Sequence, residues 1–277
     1  MATDGDDFVI LHRMPETHDM PAKALVRFDP PIATIALNDP DRRNALSHEL
    51  FDDLEHCLAE AERAADSESC HVLRIRGEGP AFCAGFDLGA MADGALNSFL
   101  ERLGAICRRL RHLDAVVVAE VHGAALAGGC ALVSACDIVH AGPDAAFGYP
   151  VHRLGISPAV SLATLVPGTS PGAARALTLS GEFLDADAAV EVGLAAAAHP
   201  DRGALEEAVT TLCDRLAAMD ATTLRETKRF QNDLDGTIDP DVFARSLAAS
   251  LATAESGEFR ARIDAVMAKK RAAEDRG

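Results

Sequence analysis

Two glycine-bearing segments hold the residues best suited to chemistry. They are Ala81-Phe82-Cys83-Ala84-Gly85-Phe86-Asp87-Leu88 and Gly123-Ala124-Ala125-Leu126-Ala127-Gly128-Gly129-Cys130. The second follows a continuous apolar run and leads into a helical pattern that opens near Gly128. The first N–H groups of a helix have no intrahelical acceptor and carry the positive end of its dipole. Glycine at 128 and 129 admits a ligand oxygen with no Cβ in the way. The Gly128 N–H is therefore expected to be a donor. Its expected partner is the Cys83 N–H, on a bulge after a strand over 71–76, with Gly85 giving room beside it. Two converging N–H groups can hold one developing oxyanion, and losing one such donor typically costs ~10²–10³ in rate. That points to reactions at an acyl carbonyl.

Few titratable side chains accompany these segments. His152 is the candidate proton carrier, because imidazole works as acid or base near neutral pH. Tyr149, the one tyrosine of the chain, is close by. Cys83 and Cys130 lie inside the segments, but a thiol nucleophile needs a base and a lowered pKa. The sequence offers no base for either.

The elements that must position these residues can be read from periodicity and punctuation. Strands are expected over 8–12, 24–28, 32–37, 71–76, 116–121, 137–141 and 146–148. The 116–121 run is apolar at almost every position, as in a strand buried on both faces. Ser47 is expected to cap a helix reaching about residue 65, with Leu50, Leu54, Cys57 and Leu58 on one face. Further helices are expected over 95–113, 128–135, 159–165 and 171–180. From 185 onward the pattern is nearly all helical, over 185–192, 203–218, 221–234, 239–254 and 257–273. Strand–helix alternation followed by helices implies an α/β core, residues 1–200, with a C-terminal helical region, 201–277.

Composition narrows the class. The chain has 277 residues, 48% of them apolar, with no Trp and a net charge of −17. That acidity argues against a nucleic-acid partner, which would need basic patches. An anionic ligand would need a local basic island, for which Arg108-Arg109-Arg111 and Lys269-Lys270-Arg271 are the candidates. Both clusters also fit solvated helix faces. Seven cysteines without a C-x-x-C pattern fit free thiols in a reducing compartment. There is no signal-peptide pattern and no apolar run of the ~18–20 residues a membrane span needs. A cytoplasmic protein that does not cross a membrane is the expectation.

The series of motifs resembles the enoyl-CoA hydratase/isomerase, or crotonase, family. Its marks are Leu37-Asn38-Asp39-Pro40 with Arg43-Asn44-Ala45-Leu46-Ser47, the 81–88 segment, Val121-His122-Gly123, Ala127-Gly128-Gly129-Cys130, Cys136-Asp137-Ile138, and Leu154-Gly155-Ile156 with Pro158. The resemblance covers about 32–200 strongly and the later helices loosely. It implies repeated ββα units and trailing helices that support a homotrimer or homohexamer. It also implies an acyl-CoA substrate, with coenzyme A entering as part of that substrate and no permanently bound cofactor or metal. Cys83 and Gly128 N–H would hold the thioester oxygen, and the Ala81 and Cys83 carbonyls would sit near the adenine. Ala45 would lie along the CoA, Lys269 would reach a phosphate, and Ala84, Gly85, Phe86, Ala131 and Val151 would complete the substrate site. Asp87 and Asp137 are structural in this pattern.

The departures from the pattern concern proton transfer. The two positions where hydratases of this family carry glutamates are Ala131 and Val151. Positions used by other branches are Phe86, Pro158 and Ala159. The expectation is a non-standard acyl-CoA reaction (isomerisation, decarboxylation, thioester cleavage) or weak hydration. The alternatives are a non-catalytic acyl-CoA-binding protein and, third, a ligand-free structural subunit. The segment between Gly85 and Arg111 is expected to line the acyl pocket.

Overall fold

The computed structural model describes residues 21–274, so the strand expected over 8–12 lies outside the described residues. The strands are β1 (Ala24–Asp29), β2 (Ile32–Leu37), β3 (Val72–Gly77), β4 (Val116–Val121), β5 (Ala124–Leu126), β6 (Ile138–Ala141), β7 (Ala146–Gly148), β8 (Phe183–Leu184) and β9 (Ala197–Ala198). They form a six-stranded sheet in the order β1-β2-β3-β4-β6-β9 and a three-stranded sheet in the order β5-β7-β8. The β1–β2 hairpin is antiparallel, and from β2 onward the large sheet is parallel. Successive turns of the chain place β4 and then β6 in the large sheet, with β5 and β7 following into the small one. This two-sheet winding is the ββα repeat.

The helices are α1 (His48–Asp66), α2 (Leu88–Ala90), α3 (Leu96–His112), α4 (Gly128–Ser134), α5 (Leu162–Gly168), α6 (Pro171–Ser180), α7 (Ala186–Glu191), α8 (Arg202–Ala217), α9 (Ala221–Leu234), α10 (Pro240–Ala254) and α11 (Gly257–Glu274). Ser47 caps α1, its Oγ accepting the Leu50 N–H at 3.2 Å. The α1 face Leu50, Leu54, Cys57 and Leu58 is buried, which turns the helical periodicity of the sequence into core packing. The other face of the large sheet is covered by α8, whose Leu205, Val209, Leu212 and Leu216 pack on Val72, Val116 and Val118. Every residue of β4 is buried, because β4 is central in its sheet and enclosed on both faces.

The later helices are tied to the core by buried polar contacts. Lys228 of α9 is 6% exposed. Its Nζ donates to the Leu110 and Ala115 carbonyls at 3.1 and 2.8 Å and pairs with the Asp137 carboxylate at 2.7 Å. On α10, Ser250 Oγ accepts the Val160 N–H at 2.8 Å and donates to the Ser157 carbonyl at 2.9 Å. Phe259 and Ile263 of α11 are buried in the main core. Among the described residues no helix is long and apolar enough to cross a membrane.

Three expectations need adjusting. The helix expected over 159–165 is a 3-10 turn, Pro158–Ser161, followed by α5. Residues 88–95 form an unanticipated helical stretch, broken at Gly94 with φ 101°. The Arg108–Arg111 cluster is not a basic island. Arg109 is held by Glu62 at 2.7 Å, and Arg111 is buried beside Asp137 and Asp235 at 3.8 and 3.3 Å.

Candidate active site

The 81–88 segment crosses between Leu46 and β5, and its backbone hydrogen bonds decide which N–H is open. Phe82 N–H donates to His122 O at 2.8 Å, Cys83 to Ala124 O at 2.9 Å, Ala84 to Arg43 O at 3.0 Å and Asp87 to Leu46 O at 3.1 Å. The Gly85 N–H faces the Cys83 sulfur. Among the described residues the Phe86 N–H has no acceptor. This corrects the expected role of Cys83, whose N–H and carbonyl are both committed to β5, the carbonyl accepting from Leu126 at 3.0 Å. The reason lies in parallel pairing, where the bonds made to a residue of one strand come from its partner's two neighbours. Leu46 bonds to Gly85 and Asp87, so Phe86 between them turns its own N–H the other way.

Gly128 opens α4, and its N–H lies in the first turn, where no intrahelical acceptor exists. Ala127 before it donates to Gly148 O at 2.8 Å and takes φ 51°, ψ −110°. That conformation is unusual for a residue with a Cβ, and such strain clusters at functional sites. The two segments touch. A methyl placed on Gly85 would lie 2.9 Å from Leu126 O and 3.7 Å from Gly128 N, and one on Gly128 would lie 3.2 Å from the Phe86 ring. The open N–H groups of Phe86 and Gly128 are thus neighbours.

Both residues line an apolar cavity of about 120 Å³, whose walls include Leu88, Met91, Leu100, Leu103, Tyr149, Val151, Val160 and Ser161. Four of these fall between Gly85 and Arg111, where the acyl wall was expected. A dry cavity of ~150 Å³ holds benzene, so this one suits a short acyl tail of about four or five heavy atoms. No carboxylate, imidazole or cationic side chain lines it among the described residues.

The remaining expected site residues divide. Ala84, Phe86, Gly128 and Val151 line the cavity, while Ala45, Ala81, Gly85, Ala131 and Lys269 do not. The Ala81 carbonyl accepts from the Asn44 side-chain amide at 2.8 Å, and Ala81 and Cys83 are 1% and 0% exposed, so burial keeps both carbonyls from an adenine. Ala131 is fully buried and its Cβ is too short to reach the cavity. His152 is also corrected. It sits in a 3-10 turn, Pro150–Leu154, that rotates it outward, and its Nε2 is bonded to the Thr178 carbonyl. Lys269 lies exposed on α11. Exposed Arg43 adjoins the cavity through the Ala84 hydrogen bond and has no ion pair among the described residues.

The thiols are inert by position. Burial pushes Cys83 and Cys130 each up to about 12, leaving almost no thiolate at neutral pH. Asp87 caps α2 through the Ala90 N–H at 2.7 Å and pairs with Arg42. Asp137 accepts the Val117 N–H at 2.8 Å beside Lys228. Both carboxylates are structural. So is His122, which is bonded to the Gly79 carbonyl at 3.0 Å and held below its usual pKa chiefly by burial.

Comparison with known proteins bears on the fold and on the family. Residues 27–270 match the family model described as enoyl-CoA hydratase/isomerase. The chain is 34% identical over 200 residues to the 2,3-dehydroadipyl-CoA hydratase of Escherichia coli, covering 72% of this chain and 77% of that protein. A crystal structure of an enoyl-CoA hydratase from Mycobacterium avium superposes with a TM-score of 0.77 at 30% identity, covering 90% of this chain and 98% of the other. An enoyl-CoA hydratase/isomerase structure from Xanthobacter autotrophicus gives 0.78 at 29% identity, covering 88% and 93%.

Proposed function

Because this chain belongs to the enoyl-CoA hydratase/isomerase family, we propose that it binds a short acyl-CoA thioester and polarises the carbonyl between the Phe86 and Gly128 N–H groups. The observation that carries this reading is the pair of unpartnered N–H groups at the wall of an apolar cavity. Two such donors stabilise an enolate or a tetrahedral oxyanion without supplying or removing a proton. The chemistry is therefore that of a stabilised oxyanion: isomerisation, decarboxylation, thioester cleavage or weak hydration. No resident cofactor is required, and coenzyme A arrives with the acyl group. Arg43 and Lys269 are the exposed cations proposed for its phosphates.

A second reading has its own support. The absence of a carboxylate or imidazole from the cavity lining suits a protein that binds acyl-CoA and does not turn it over. Calorimetric titration with free CoA, butyryl-CoA and crotonyl-CoA tests the shared premise. The acyl esters should bind more tightly than CoA, and equal affinity would overturn the acyl-cavity assignment. Turnover assays over an acyl-CoA panel then separate enzyme from binder. We further propose a homotrimer or homohexamer assembled through the C-terminal helices, because Phe230, Leu234 and Ile238 are 62%, 71% and 47% exposed. A monomeric mass by light scattering would reject it. Seven buried free thiols fit the reducing cytoplasm.

A further inference from the structure

The Tyr149 hydroxyl is one of few buried side-chain polar atoms without a hydrogen-bond partner among the described residues. Its residue is 1% exposed and forms part of the acyl cavity wall. Native proteins pair nearly all buried polar atoms, so an orphan on a cavity wall marks a place for a ligand atom. Ser161, 2% exposed, lines the same cavity, and its hydroxyl and the Cys130 thiol lie close enough to the phenol to bear on its pKa, neither in hydrogen-bond geometry. Burial raises the Tyr149 phenol well above its ordinary pKa, so it stays a neutral donor at every physiological pH.

We propose that Tyr149, with Ser161 beside it, reads one neutral oxygen on the acyl group, so that the cavity prefers a short oxo- or hydroxyacyl-CoA over the plain alkyl ester. This inference rests on the acyl-CoA reading above. A carbonyl oxygen has two lone pairs and can accept from both hydroxyls. A trapped water needs two to four polar partners. A water held by these two hydroxyls alone would sit at the low end of that range, and an acyl oxygen that displaces it keeps both bonds. A carboxylate is disfavoured, since no cation lines the cavity to meet its charge.

Calorimetric titration of the full-length protein and of Tyr149→Phe with butyryl-, 3-hydroxybutyryl-, acetoacetyl- and succinyl-CoA tests the assignment. The wild type should bind acetoacetyl- or 3-hydroxybutyryl-CoA about 5- to 10-fold more tightly than butyryl-CoA, the gain of one net hydrogen bond, and should bind succinyl-CoA most weakly. Tyr149→Phe should bring the oxo and hydroxy esters within about 2-fold of butyryl-CoA. The variant's own butyryl-CoA affinity is the reference for that ratio, and its melting temperature should be no lower. Butyryl-CoA binding without a preference for the oxygenated esters, or a preference that survives in Tyr149→Phe, overturns the role of Tyr149 alone. No binding of any acyl-CoA overturns the acyl-CoA reading itself.

Discussion

Gly128 and Gly129 are neighbours in sequence, and the packing around them predicts opposite results for the same substitution. A Cβ on Gly129 would lie 2.2 Å from the Cys83 carbonyl oxygen, 2.9 Å from Cys83 Cβ and 3.0 Å from Cys83 C. These atoms cannot step aside, because Cys83 is bonded to β5 at 2.9 Å through its N–H and at 3.0 Å through its carbonyl. Gly129→Ala must therefore push the 81–88 segment away from α4 by about 1 Å. Overpacking costs ~1–3 kcal/mol and a lost backbone hydrogen bond ~0.5–1.5 kcal/mol, together about 2–4 kcal/mol. At ~2–4 °C per kcal/mol for a chain near this size, the melting temperature should fall by about 4–16 °C. Acyl-CoA affinity should fall as well, because Phe86 moves with Cys83. A Cβ on Gly128 would instead meet Leu46 Cδ1 at 2.8 Å and the Phe86 ring at 3.2 Å. Both contacts are ends of side chains that can rotate, and alanine's better helix propensity offsets part of the cost. Gly128→Ala should melt within about 3 °C of the wild type. Scanning calorimetry of the two variants decides the matter. Equal melting temperatures for the pair, or a Gly129→Ala protein as stable as the wild type, would refute the backbone lock between the segments.

Lys228→Met should lose about 2–3 kcal/mol in urea unfolding, because it leaves the half-buried Asp137 without its closest cation and the Leu110 and Ala115 carbonyls without their donor; a loss under 1 kcal/mol would contradict this. Stability should also decline as pH falls below about 6.5, the ordinary histidine value. His122 and His140 are held below that value, both chiefly by burial. The unfolded chain then binds protons that the folded one does not, and the slope is up to ~1.4 kcal/mol per pH unit for each histidine until the folded pKa is reached. Denaturant midpoints measured from pH 7.5 to 5 check this, and a flat profile contradicts it. A thiol reagent such as Ellman's should leave the native protein unlabelled, since all seven cysteines are buried, and should label all of them after unfolding. Val151→Glu would add a carboxylate to the cavity wall, and crotonyl-CoA hydration should rise about 10-fold or more over the wild-type rate, followed by loss of the enoyl absorbance.

The parts of the fold that sequence reveals are those with a local cause. Ser47 caps its own helix, Val116–Val121 is apolar throughout because both faces are covered, and Gly128 opens a helix. The strands that escape sequence reading are β5, β8 and β9, of three, two and two residues. Runs that short carry little readable alternation, and of them β7, also three residues, is the legible one. The site follows the same division. The glycine segments are visible in sequence, but which N–H stays open depends on Leu46 and Ala124, distant residues that occupy the neighbouring groups. His152 lies next to Val151, yet a 3-10 turn sends one outward and the other to the cavity. Tyr149 gains its meaning only from Ser161, which the fold brings to the same wall.

Helix α11 packs behind two turns of the cavity wall and contributes no residue to the lining. Phe259 lies against Gly155, and Arg260 donates to the Ala92 carbonyl at 2.6 Å, so the helix braces both turns that carry cavity residues. A growing chain therefore completes its two sheets and both N–H donors before this helix is made. Until it docks, the turns that carry Met91 and Val151 have no brace behind them, and a wall that can shift holds an acyl group less firmly. A chain cut before α11 would keep the segments of both donors and lose the brace on the cavity wall.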